Sequence, residues 1–453
     1  MRKKYLLGSI LIVLMLCMAQ IRGSTLMILA CMAGFLMLLG WCCVQNYTLP
    51  ILLFFLPWSP LMRASPSSFS FFTIGLVMVC LIGVMKKRFC FRRYHIAVGI
   101  VLAFLTLLSK LLGERGIGFD YIAFLMLIVL FPTVCEEHTA REYDFFQTWI
   151  FLSLGIILAA LCAQRFVGYG GISRYITVHS YLSITRLCGF YGDPNFYTAQ
   201  ITAALGGGLY SVLKERSKGR TVILAAILLL LLYCGFLSGS KSFVLVTALV
   251  VVIWGVELLR MHGKTGRKII LTLVAAVAAL YIATSALFSG WIDILITRFS
   301  FSSSLSSLTT GRTELWAMYI EEILSNGKIL FIGEGFTNVK LHGRASHNTL
   351  LQIVYQFGIL GVPFLVAWVS CFFRGVSGNR LERKKDVSPW ILLTGVFLPW
   401  MAIDILFFDE LFLLQWYVFV ALKEQSSGPE TDQRVQRQQG YTRTGYRLRF
   451  VWK

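Results

Sequence analysis

The chain has 453 residues, 57% of them hydrophobic and 14% charged, with a mean hydropathy of +0.72 and a formal net charge of +20. A soluble domain cannot hide that much apolar surface, whereas a bundle of lipid-facing helices can, so composition excludes an ordinary soluble globule. The cations lie in short stretches between apolar runs, which is the positive-inside pattern and argues against a nucleic-acid partner.

The first residues, Met1-Arg2-Lys3-Lys4, precede an apolar run that continues without a small-residue cleavage site, so the sequence predicts a retained first helix. Apolar runs of spanning character follow near 5–22, 24–44, 48–62, 69–85, 94–112, 120–135, 145–163, 196–213, 221–238, 242–259, 269–288, 348–370, 389–407 and 411–422. The third, sixth and last are short, so the expectation is an all-α polytopic membrane protein of about 12–14 spans. Most of the eleven cysteines fall inside these runs, where a thiol behaves as a small hydrophobe; neither a disulfide framework nor a zinc site is indicated. Gly206-Gly207-Gly208 reads as close helix packing or as a soft point in a span.

Basic stretches at Lys86–Arg93, Lys214–Arg220, Arg260–Lys268 and Arg374–Lys385 all fall on the cytoplasmic side if the N-terminus is inside. That places two long segments, 164–195 and 289–347, outside. The predicted organisation is N-terminal helices over 1–163, a core with both outer loops over 164–370, C-terminal helices over 371–422, and a basic cytoplasmic tail over 423–453. The tail reads as a segment resting on anionic lipid or docking a cytoplasmic partner.

The first loop is aromatic and cationic and runs into Gly189-Phe190-Tyr191-Gly192-Asp193-Pro194-Asn195. Asp193 and Pro194 suit a helix cap and first turn. Arg186 suits a phosphate ligand, because a guanidinium stays charged and binds two oxygens at once; headgroup snorkelling is the alternative. The turn Ser238-Gly239-Ser240-Lys241-Ser242 is a weak anion-site signal in which Lys241 either binds an anion or anchors in lipid.

The second loop opens with a Ser-rich connector, Ser300 to Ser307. Leu315, Tyr319 and Ile323 then recur at four-residue spacing, predicting an amphipathic helix with Arg312 at its anion-attracting N-terminus. Gly333-Glu334-Gly335 reads as a flexible turn, and Glu334 is the acidic residue in this loop most worth testing. The loop closes on Arg344-Ala345-Ser346-His347-Asn348. An imidazole at a water–membrane boundary titrates near neutrality and can accept a proton from a sugar hydroxyl, so His347 is the candidate base. The loops hold no Asp-x-Asp or Asp/His cluster, so no metal and no cofactor are expected.

His347-Asn348 with Leu351 and Gly358 resembles the His-Asn-x-x-Leu-x6-Gly signature of the O-antigen ligase and polymerase family. Arg186 and Gly189 with Asp193-Pro194-Asn195 resemble that family's first outer motif, Ser238 to Ser242 its short Ser-x-Ser-Arg turn with Lys241 in place of arginine, and Gly311-Arg312 with Trp316 its third element. The motifs occur in family order across residues 186–362.

The resemblance implies a GT-C-like helical fold in a bacterial cytoplasmic membrane, with the active site on the extracytoplasmic side. It implies transfer of glycan from an undecaprenyl-diphosphate carrier to a hydroxyl. Carried over by motif position, Arg186 and Arg312 hold the diphosphate, His347 acts as base, and Lys241, Asn195 and Asn348 line the substrate site. Implied partners are the undecaprenyl-diphosphate-linked oligosaccharide, membrane lipid and other polysaccharide-assembly proteins. Polymerisation of repeat units leads; a ligase moving finished glycan to a lipid, wall or protein acceptor is the alternative. A lipid-linked oligosaccharide flippase is third, since it would carry charges within its spans, whereas Lys110 and Asp404 sit at span ends.

Overall fold

The computed structural model describes residues 3–64, 69–86, 93–112, 119–138, 144–176, 178–181, 184–215, 217–263, 267, 311–335, 341, 343–377 and 387–426. Among the described residues, ten α-helices precede the second loop: α1 (Lys3–Arg22), α2 (Thr25–Val44), α3 (Thr48–Phe55), α4 (Phe71–Lys86), α5 (Arg93–Leu111), α6 (Phe119–His138), α7 (Phe145–Arg165), α8 (Pro194–Lys214), α9 (Lys218–Phe236) and α10 (Lys241–His262). Within it lie α11 (Arg312–Ser325) and α12 (Gly327–Phe331), and after it come α13 (Thr349–Ser377), α14 (Ser388–Phe397) and α15 (Asp409–Ser426). Among the described residues, seven helices are long and apolar enough to cross a membrane. Leu26, Met37, Val222 and Val252 stand exposed on such helices, where lipid rather than water suits them. The protein is a multi-pass, all-α membrane protein. The apolar run at 269–288, the Ser-rich connector, the rest of the second loop before Gly311 and the tail beyond Ser426 lie outside the described residues.

Two runs are not continuous helices. The third stops at Phe55 and tightens into a 3-10 turn over Leu56–Leu61, where Pro57 and Pro60 remove backbone donors. The run at 389–407 ends as α-helix at Phe397, passes through a 3-10 turn over Leu398–Ala402 that contains Pro399, and leaves 403–408 non-helical. This interruption frees Asp404 from a helix end and matters for the site.

α8 is buried along almost its whole length, packed by α7, α9, α10 and α14. Of the triple glycine, Gly206 makes the contact with α14, while Gly207 lies against Tyr417 and Trp149 and Gly208 against Leu228 and Trp149. A Cβ on Gly206 would lie 3.0 Å from the Ile391 carbonyl oxygen, and one on Gly395 would lie 2.6 Å from that of Thr202. Close packing is therefore what these glycines do.

α11 buries Leu315, Tyr319 and Ile323, the predicted stripe, in a small cluster with Ile329 and Tyr355. The glycine turn that follows is clamped rather than free. Glu334 N donates to the Tyr355 carbonyl at 2.8 Å and Gly335 N to that of Gln356 at 2.9 Å. The backbones cross so closely that a Cβ on Gly358, which has φ +60°, would sit 2.3 Å from the Phe331 carbonyl. That crossing breaks α13 at Gly358.

Candidate active site

Five short segments from separate parts of the sequence meet at one end of the bundle. The first loop contains a β-hairpin that the sequence did not signal: β1 (Val178–Tyr181) pairs antiparallel with β2 (Ile184–Leu187), and Arg186 lies on the second strand. Leu187 N donates to the Leu237 carbonyl at 3.0 Å, and Arg186 Nε donates to that of Ser238 at 2.9 Å. The hairpin is thus sewn to the Ser238–Ser242 turn, and Arg186 is directed along it.

Asp193 caps α8 as expected, accepting from Asn195 N at 2.6 Å. Its Oδ1 also takes Asn195 Nδ2 at 2.8 Å, while Asn195 Oδ1 accepts from Ser240 Oγ at 2.9 Å and Ser242 Oγ at 3.1 Å. Asn195 is therefore the link between the helix cap and the serine turn. Lys241 opens α10 inside that turn.

The other oxygen of Asp193 faces His347. Nδ1 lies 3.4 Å from Oδ2, within ion-pair range but without hydrogen-bond geometry. The side chain of His347 is 34% exposed, which leaves the ring open to a substrate. His347 has φ +48°, a left-handed conformation that costs a non-glycine residue about 1 kcal/mol or more. Asp404 holds it there. Its carboxylate accepts from Ser346 Oγ, from His347 N at 2.9 Å and from Asn348 N at 3.3 Å. The Thr349 hydroxyl donates to the Ile403 carbonyl at 2.7 Å, and Leu406 N donates to Gln352 Oε1 at 3.1 Å, fastening the Asp404 segment alongside α13. Asn348 is buried and caps α13, accepting from Leu350 N at 3.0 Å and Leu351 N at 3.4 Å. From the other side, Trp316 Nε1 donates to the Ser346 carbonyl at 3.1 Å and Tyr319 Oη to the Arg344 carbonyl at 2.8 Å, so α11 bears on the histidine loop.

Arg312 is the first residue of α11, after Gly311 in left-handed conformation. It is half-buried and lies in the field of Asp193 and Asp404; Arg186 is half-buried too and feels both Asp193 and Arg312. Loss of water lowers each guanidinium pKa below its ordinary value; Cys188 and Asp193 draw that of Arg186 back up while Arg312 lowers it further, and Asp193 and Asp404 draw up that of Arg312. A guanidinium remains charged throughout the working range, so two cations face two carboxylates and one imidazole.

The structure therefore gathers Arg186, Asn195, the Lys241 turn, Arg312, His347 and Asn348. Glu334 is not among them: its carboxylate pairs with Lys328 at 3.5 Å, on the turn clamped to α13. Asp404 is the residue that reading the motifs missed. The signal for it was a carboxylate inside an apolar run shortly after Pro399. Among the described residues no group of three or more His, Cys, Asp or Glu side chains is arranged to hold a metal ion. No protein-family model, curated protein or solved structure matches the chain.

Proposed function

We propose that the chain is a metal-independent glycosyltransferase that polymerises lipid-linked oligosaccharide repeat units, moving glycan from an undecaprenyl-diphosphate carrier onto a sugar hydroxyl. The observation that carries this reading is the meeting of His347 with Asp193 at 3.4 Å beside two half-buried arginines drawn from separate loops. The resemblance of the four motifs to the O-antigen ligase and polymerase family supports the same chemistry.

In this mechanism Arg186 and Arg312 bind the diphosphate and neutralise the charge that grows on it as the anomeric C–O bond breaks. With Nδ1 turned to Asp193, Nε2 of His347 takes the proton of the attacking hydroxyl, whose oxygen forms the new bond to the anomeric carbon. Asp193 stabilises the imidazolium formed, in the way a carboxylate orients and supports a catalytic histidine elsewhere. The carrier diphosphate leaves, and a single displacement inverts the anomeric centre. Asp193 and Lys241 lie where α8 and α10 begin, whereas Lys214 and Arg260 lie where those helices end; the positive-inside rule applied to the latter supports a reaction on the extracytoplasmic side.

The test is extension of an undecaprenyl-diphosphate-linked repeat unit by purified protein in vesicles. Lengthening of glycan on the carrier, lost in His347→Ala and Arg312→Ala, is the expected result. Glycan appearing on a non-carrier acceptor would make the protein a ligase. Full activity in both variants would remove the assignment, and a retained anomeric configuration by NMR would remove the single displacement.

A further inference from the structure

Beneath the Asp193 loop lies a second polar group that the proposed chemistry does not use. Glu410, in the first turn of α15, is 3% exposed. Its Oε1 is 2.7 Å from the Tyr191 hydroxyl and 3.0 Å from Gln200 Nε2. The same hydroxyl is 2.9 Å from the Leu56 carbonyl oxygen and 2.5 Å from Gln200 Nε2, with Ser59 Oγ at 3.4 Å.

Counting hydrogens bears on the protonation state. The Gln200 amide group has two hydrogens, one for each oxygen it approaches. The Tyr191 hydroxyl has one, and two acceptors wait for it. Burial pushes the Tyr191 phenol well above its ordinary value, with the Glu410 carboxyl adding to the shift, so the hydroxyl keeps that hydrogen. With Glu410 ionised, either the Leu56 carbonyl or a buried carboxylate would go without it, and a buried charge held by a phenol, a side-chain amide and its own backbone N–H is still costly. With a proton on Oε1, Glu410 donates to Tyr191, Tyr191 donates to Leu56, and every contact has its hydrogen. Arg63 exerts a field on Glu410 that favours the charged form, as does the amino end of α15; the neighbouring Asp409 carboxylate is bonded to Thr73 at 2.7 Å.

We infer that Glu410 is held as a neutral carboxylic acid, and that through Tyr191 it is the positioning residue that fixes Asp193 opposite His347. Tyr191 is two residues before Asp193, on a loop closed by its own N–H donating to the Cys188 carbonyl at 3.0 Å. Its ring is parallel to that of Phe196, in the first turn of α8, with centroids 6.4 Å apart. Anchoring the hydroxyl to the Leu56 carbonyl and to α15 therefore sets where the Asp193 carboxylate sits relative to the imidazole.

The role given to Asp193 rests on the glycosyl-transfer reading, but two measurements need no substrate, so the two can fail separately. Infrared difference spectra of wild type against Glu410→Gln in vesicles should show the carbonyl stretch of a protonated acid lost in the variant; carboxylate bands alone would overturn the inference. In protein labelled with nitrogen-15 histidine, with the His347 signal assigned by its absence in His347→Ala, that signal should move in Tyr191→Phe and stay in place in Glu410→Gln. An unmoved signal in Tyr191→Phe would show that the network does not position Asp193, and a displacement in Glu410→Gln as large as that in Tyr191→Phe would show that Glu410 does not act as a neutral acid. Glu410→Gln keeps a neutral side chain of the same shape, so folding is expected to survive where Glu410→Ala fails.

Discussion

Cations at the two ends of the bundle do different things. At the end where α8 closes, Arg220 is 55% exposed and pairs at 3.5 Å with Glu215, and Arg260 pairs at 3.2 Å with Glu257 one turn away. Each has found a carboxylate a few residues off, and such pairs contribute about 0–1 kcal/mol when exposed. At the opposite end Arg186 and Arg312 come from loops separated by much of the chain, are half-buried, and share Asp193. A cation paired by sequence neighbourhood tells which way the chain crosses the membrane. A cation held by tertiary structure at a partly dry site is one that can bind a charged substrate.

The sharpest way to break this comparison is to remove one cation from each end. Arg312→Ala should lower glycan extension by about 100-fold or more, and Arg220→Ala should leave it unchanged in the same vesicle assay. Equal effects would erase the distinction. Next in size is Asp404→Ala, which strips the acceptor from the Ser346 hydroxyl and from two backbone N–H groups. We expect a loss of about 2–3 kcal/mol in stability, read by thermal unfolding in detergent, together with loss of activity. A variant as stable as wild type would mean that the left-handed His347 does not depend on that carboxylate. Asp193→Asn is milder, because asparagine caps a helix as well as aspartate does. It keeps α8 intact while removing the charge facing the imidazole, so activity should fall about tenfold, a little over 1 kcal/mol, with the melting temperature unmoved. A large drop in melting temperature would instead assign Asp193 to structure alone. The smallest effect belongs to the Arg220 pair itself: Glu215→Ala, which gives up the ion pair and the bond from Ser217 N at 2.8 Å, should change stability by about 1 kcal/mol.

Elements with a strong local signal were legible. The Leu315, Tyr319 and Ile323 stripe gave the face that α11 buries, and Asp193-Pro194 gave the start of α8. Breaks were harder. The proline-containing runs at 48–62 and 389–407 pass a hydropathy test although neither stays helical throughout. The glycine turn at 333–335 read as loose because its clamp is a backbone crossing with α13, which no side-chain pattern reports.

Hydropathy and charge spacing by themselves determined that this is a multi-pass helical membrane protein, because lipid as solvent constrains composition more tightly than any fold does. Motif residues such as Arg186, Arg312 and His347 could be named in advance, since each sits beside a local cap or turn. That they meet beside Asp193 and that Asp404 holds the histidine loop were decided only by the tertiary structure. Those contacts join residues from about 50 to more than 150 positions apart, and a linear pattern carries no information about which distant loops the packing of α8, α13 and α15 brings together.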